Sequence, residues 1–126
     1  MERHFKNWGY ELWIVNNEKY CGKLIWVEKD KWSSGGAYHY HIEKEETFFV
    51  IDGTLKLDYV KGIGSSESFR RIILRKFTAF TIPQRMKHRF TATSQVCQFI
   101  EVSTTHKDED SYRCKLNYKG LWEEIK

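Results

Sequence analysis

Short runs of β-branched and aromatic residues recur along the chain, each closed by turn residues. LWIV (12–15) stops at Asn16 and Asn17, and KLIWVEK (23–29) follows a break at Cys21 and Gly22. That second run leads into SSGG at 33–36, where two glycines relax the backbone. AYHYHI, TFFVIDG, TLKLDYV, FRRIIL, FTAFTI, HRFTAT and VCQFIEV continue the series, with a Gly and Ser loop at 62–66. About nine short strands at this spacing predict an all-β sandwich or barrel. No stretch sustains a 3.6-residue period, and KGLWEEIK (119–126) is the one segment expected to form a helix, of about two turns. DEDSYR (108–113) is expected to be a solvated turn before a final strand or helix.

Composition narrows the class. The chain has 126 residues, 40% hydrophobic and 16% aromatic, enough for one core and hence a single domain, 1–126. Its net charge is +4, but Lys and Arg are interleaved with acids and no basic run offers a stripe for phosphates, so nucleic acid is not an expected partner. Cys21, Cys97 and Cys114 are odd in number and form no CxxC pair; they read as reduced core thiols. MERHFKNWGY lacks the apolar run of a signal peptide, and no window approaches the roughly 20 apolar residues of a membrane span. A soluble cytoplasmic protein is expected.

The chemistry concentrates in HYHIEKEETFFVIDG, 39–53. On a strand, side chains two apart leave the same face, so His39 and His41 stand together while Tyr38 and Tyr40 point away. Two imidazoles on one face can share a metal, and an accessible metal centre takes three or four protein groups while keeping positions open. Glu45 and Glu46 lie beyond a short polar turn, and His88 follows Pro83 in IPQRMKHRF. An isolated HxH is a weak signal, but with the nearby carboxylate, the glycine and the later histidine it points to one divalent ion, whether zinc, manganese, iron or nickel.

These residues resemble the cupin superfamily. Its first motif runs HxH, three or four residues, Glu, six residues, Gly, which His39, His41, Glu46 and Gly53 match. The interval to Gly53 favours Glu46, while the motif's loose first spacer also allows the register with Glu45 as ligand. In the second motif Pro83 and His88 are kept, while Phe77, Arg85 and Ala92 stand where Gly, Gly and Asn are usual. The resemblance covers about residues 8 to 113 and implies a single-domain double-stranded β-helix, or jelly roll. It also implies a metal inside one open end, held by His39, His41, Glu46 and His88.

Two further stretches resemble the type II mannose-6-phosphate isomerase domain. NWGYELWIVNNEKYCGKL (7–24) is similar to its WGxE entry and lysine strand, through Trp8, Gly9, Glu11 and Lys23. FIEVSTTHKDEDSYR (99–113) is similar to its closing strand, through Glu101 and Arg113. Asn7 replaces the usual Pro, His39 stands where several isomerases have Gln, and the run around the metal is not HHHRAEHW. That likeness implies a metal-dependent sugar or sugar-phosphate isomerase, interconverting aldose and ketose through an enediol. Glu101 or Lys23 would shuttle the proton; Arg113, Arg85 and Trp8 would contact the substrate. Lys23 also reads as a snorkelling strand residue, Glu101 as an edge residue, and the five tryptophans as core or interface anchors. His4 and His106 read as surface residues. A non-catalytic cupin binding a small polar ligand and a non-haem iron dioxygenase are the competing functions. The TFFVI run suggests a strand buried on both faces, one against a second copy in a homodimer.

Overall fold

The computed structural model describes residues 1–125. Twelve strands run β1 (Glu2–Lys6), β2 (Gly9–Asn16), β3 (Cys21–Val27), β4 (Tyr38–Tyr40), β5 (Glu46–Asp52), β6 (Leu55–Lys61), β7 (Ser68–Leu74), β8 (Ala79–Ile82), β9 (His88–Ala92), β10 (Cys97–Ser103), β11 (Tyr112–Leu116) and β12 (Trp122–Ile125). They form two antiparallel six-stranded sheets, ordered β1-β2-β3-β10-β5-β8 and β12-β11-β4-β9-β6-β7. The all-β jelly-roll expectation holds. Among the described residues no helix is long and apolar enough to cross a membrane.

The nine expected strands correspond to β2 through β10; β1 was not expected, and the final strand or helix expected after 108–113 is a pair of strands, β11 and β12. β1 is a charged edge strand with little apolar content, ERHFK. β11 takes the end of the stretch expected as a turn, after a single 3-10 turn at Asp108–Asp110. The expected C-terminal helix is instead β12, which pairs antiparallel with β11 from Arg113↔Ile125 to Leu116↔Trp122; Lys126 lies outside the described residues. Two helical turns are marginal alone, whereas the hairpin satisfies the backbone along a whole strand edge. Cys21 and Gly22 do not break the chain but open β3.

Period-2 alternation sets what enters the sandwich. On β3 the inward row is Cys21, Lys23, Ile25, Val27; on β5 it is Glu46, Phe48, Val50; on β10 it is Cys97, Phe99, Glu101. These rows grade from apolar to charged. Ile25, Val27, Phe48, Val50, Leu55, Leu57, Phe90 and Phe99 fill the apolar end, while Lys23, Glu46 and Glu101 gather at the other. Within the chain β5 buries one face, and on the other Phe49 is 37% exposed and stacks on Phe77. All three cysteines are free and buried.

Candidate metal centre

Four side chains from three segments converge at the charged end. His39 lies on β4, His41 just past its end, Glu46 opens β5 and His88 opens β9. Antiparallel pairing sets His39 directly opposite His88, with ring centroids 4.0 Å apart. One ligand atom from each of the four lies within 4.8 Å of the others. Tyr38 and Tyr40 leave the opposite face, Tyr38 edge-on to Trp122 and Tyr40 stacked on Tyr112. Glu45 is exposed and Glu46 is 2% exposed, which settles the register between the two acids.

The donor set fits a metal. His41 Nδ1 lies 2.9 Å from the Asp110 carbonyl oxygen and His88 Nδ1 lies 2.9 Å from that of Met86. A carbonyl only accepts, so each Nδ1 carries the proton and each Nε2 keeps a lone pair. His88 Nε2 and Glu46 Oε1 sit 2.9 Å apart without hydrogen-bond alignment, and both are buried with no other partner. Buried lone pairs facing one another without a proton between them are costly. Two donors about 2.1 Å from a shared ion and at right angles to it would lie ~3.0 Å apart. Burial holds His39 well below the ordinary imidazole range, with His88 adding to it, and burial brings His41 down to about 4. Both are thus neutral ligands near pH 7. Burial opposes ionisation of Glu46, but the Lys44 ammonium beside it outweighs that and keeps the carboxyl well below its usual range.

A second layer of charge surrounds these ligands. Lys44, 3% exposed, places Nζ 3.1 Å from Glu46 Oε2 and 3.1 Å from Glu101 Oε2. It also donates to His106 Nδ1 at 3.1 Å, while His106 Nε2 donates to Asp108 Oδ1 at 3.0 Å. Lys23 lies 3.9 Å from Glu101 and 3.7 Å from Glu11, and 4.4 Å over the Trp13 ring. Burial and the neighbouring Glu46 raise the Glu101 carboxyl above its ordinary value, against the two lysines. Asp110 anchors the segment that carries the ligands: its carboxylate accepts the backbone N–H groups of Ile42, Glu43 and Lys44.

The cluster opens into a cavity of about 600 Å³. Lys23 and Glu101 line it beside His39, His41 and Glu46, with His88 buried behind them; Trp8 forms a buried wall edge-on to Phe90, and Arg113 lies exposed at the rim, in register with His39. Arg85 is exposed and outside that wall; its N–H donates to the His41 carbonyl oxygen at 2.6 Å. The positions where the second motif lacks glycine keep a glycine-like backbone, with Phe77 at φ 66° and Arg85 at φ 71°. The turn geometry thus survives at the expense of local strain.

Sequence reasoning missed Lys44, His106 and Asp110, and named Glu11 in the entry motif without foreseeing its ion pair with Lys23. His106, expected on the surface, has a side chain only 11% exposed, packs edge-on against Trp13 and lines the cavity. His4, also expected there, stacks on Trp13 at 4.3 Å. Lys44 had one local signal: it stands two residues before Glu46, hence on the same face.

A two-sheet β-sandwich with three imidazoles and a carboxylate inside one end defines a jelly roll built around a candidate metal centre. Residues 26–103 match the family model of the cupin domain, and the chain belongs to that family. Among solved structures, KdgF from Halomonas sp. is similar with a TM-score of 0.67 at 14% identity, over 86% of this chain and 92% of that one. Oxalate decarboxylase from Bacillus subtilis is similar with a TM-score of 0.76 at 12% identity, over 89% of this chain but 29% of that one. A cupin-2 domain containing protein from Shewanella frigidimarina NCIMB 400 is similar with a TM-score of 0.57 at 22% identity, over 81% and 82%. At these identities the likeness is one of fold. No curated protein sequence matches the chain.

Proposed function

We propose that the protein is a metal-dependent isomerase of a sugar or sugar phosphate, interconverting aldose and ketose through an enediol. The observation that carries this reading is Glu101. It is a buried carboxyl with a raised pKa that lines the cavity and is joined to the ligand Glu46 through Lys44. A divalent ion held by His39, His41, Glu46 and His88 supplies Lewis acidity at a substrate carbonyl, and zinc, manganese, iron or nickel suits that donor set.

The chain's own groups do the rest. Glu101 takes the proton from the carbon beside the carbonyl and returns it to the neighbouring carbon, a transfer favoured by a carboxyl raised toward neutrality. Lys44 and Lys23 flank that carboxylate and keep it ionised when it acts as base. Arg113 at the rim holds the distal hydroxyl or phosphate, and Trp8 closes the apolar wall.

The test is solvent exchange. Metal-loaded protein is incubated in D₂O with a panel of aldoses and aldose phosphates, and deuterium entry at the carbons next to the carbonyl is followed by NMR. Glu101→Gln is expected to slow exchange by roughly 10²–10⁴-fold with metal content unchanged. No exchange with any member of the panel refutes the reading. Oxygen uptake would then favour a dioxygenase, and a ligand-induced thermal shift alone a binding protein.

A further inference from the structure

The two oxygens of Glu46 have different surroundings. Oε1 is buried, faces His88 Nε2 at 2.9 Å and has no hydrogen-bond partner. Oε2 is held at 3.1 Å by the ammonium of Lys44 and lies 3.8 Å from His41 Nε2. Lys44 has three N–H donors and three acceptors at 3.1 Å, namely Glu46 Oε2, Glu101 Oε2 and His106 Nδ1. Its ammonium is drawn to these three groups and its side chain is 2% exposed, which turns it toward the two carboxylates rather than outward. What it can do is keep Oε2 occupied.

We infer that Lys44 is a positioning residue that confines Glu46 to single-oxygen coordination and thereby sets the centre against large oxygen-seeking cations such as calcium. Calcium takes six to eight oxygens and gains from carboxylates that chelate through both. With Oε2 held by Lys44 and Glu101 drawn onto the same ammonium, the centre offers one carboxylate oxygen and three nitrogens. Nitrogen-rich, low-coordinate sites suit the later first-row divalent ions. Without Lys44, both oxygens of Glu46 become free, and so does the Glu101 carboxylate beside it. The inference rests on the four residues forming a metal centre and does not depend on the isomerase reaction.

A ratio of affinities isolates this effect. Removing a buried cation near the centre strengthens binding of every divalent ion through simple Coulomb attraction, and that gain is common to Ca²⁺ and Zn²⁺. Their ratio cancels it and reports the coordination offered. Dissociation constants for both ions are measured by isothermal titration on metal-free wild type, Lys44→Met and the double variant Lys44→Met/Glu101→Gln. The double variant leaves no uncompensated second carboxylate and so guards against loss of the fold. The Ca²⁺/Zn²⁺ ratio of dissociation constants is expected to fall by about 10-fold or more in both variants, the scale on which groups that orient metal ligands act. A ratio within about twofold of wild type in the folded variants overturns the role of Lys44. Wild type that binds neither ion overturns the metal centre itself, a distinct result.

Discussion

Asp110→Asn is expected to cost about 2–4 kcal/mol of stability and to loosen the segment that carries three of the site's residues. The Asp110 carboxylate is 4% exposed and takes three consecutive backbone N–H groups. Ile42 donates to Oδ1 at 2.9 Å, Glu43 to both oxygens at 3.1 and 3.2 Å, and Lys44 to Oδ2 at 3.1 Å. Asparagine keeps one oxygen and turns an NH₂ toward the other position, so one N–H loses its acceptor and meets a donor, at about 1–3 kcal/mol. The surviving bonds fall from charge-assisted to neutral, which adds roughly 1 kcal/mol. For a domain of this size each kcal/mol shifts Tm by about 3–5 °C, so the midpoint should drop by roughly 6–20 °C. The assay is urea unfolding followed by tryptophan fluorescence on metal-free protein, because bound metal would add its own linkage. A change under about 0.5 kcal/mol, the ordinary range for surface substitutions, would refute the anchoring argument.

Two further outcomes follow from the same geometry. His41 titrates at about 4 because it is buried, and burial holds His39 well below the imidazole range. Below about pH 6.5 the unfolded chain therefore takes up protons that the native state refuses, and the metal-free protein should lose stability steadily as pH falls from about 6.5 toward 4. Urea midpoints that stay flat across that window would contradict the buried neutral imidazoles. Gly53→Ala should cost roughly 3–5 kcal/mol or prevent folding, checked by thermal unfolding. Gly53 sits at φ 75°, and a Cβ there would lie 1.8 Å from the Val96 carbonyl oxygen.

The candidate centre was legible to the extent that it obeys a short-range rule. A period of two places His39 with His41, while the preference for Glu46 and the place of His88 after Pro83 came from the resemblance to the cupin motifs. The same alternation defined nine strands from β2 to β10. At Phe49 the pattern reads alike whether the side chain meets a core, a second copy or, as within this chain, Phe77. The charged strand β1 carried no apolar pattern, and KGLWEEIK is compatible with helix until β11 offers it an edge.

What the sequence by itself determined, then, is the class of fold and which side chains share a face, since both depend on spacing along one strand. The tertiary structure decided the rest, because those contacts join residues far apart in the chain. Lys44 becomes a hub only when β10 brings Glu101 within 3.1 Å, 57 residues away. Asp110, in a stretch that reads as a solvated turn, becomes a buried anchor when it folds onto Ile42–Lys44, 66–68 residues back. Arg85 and Phe77 adopt a backbone that their side chains disfavour, and only the packed turns of the closed sandwich hold them there.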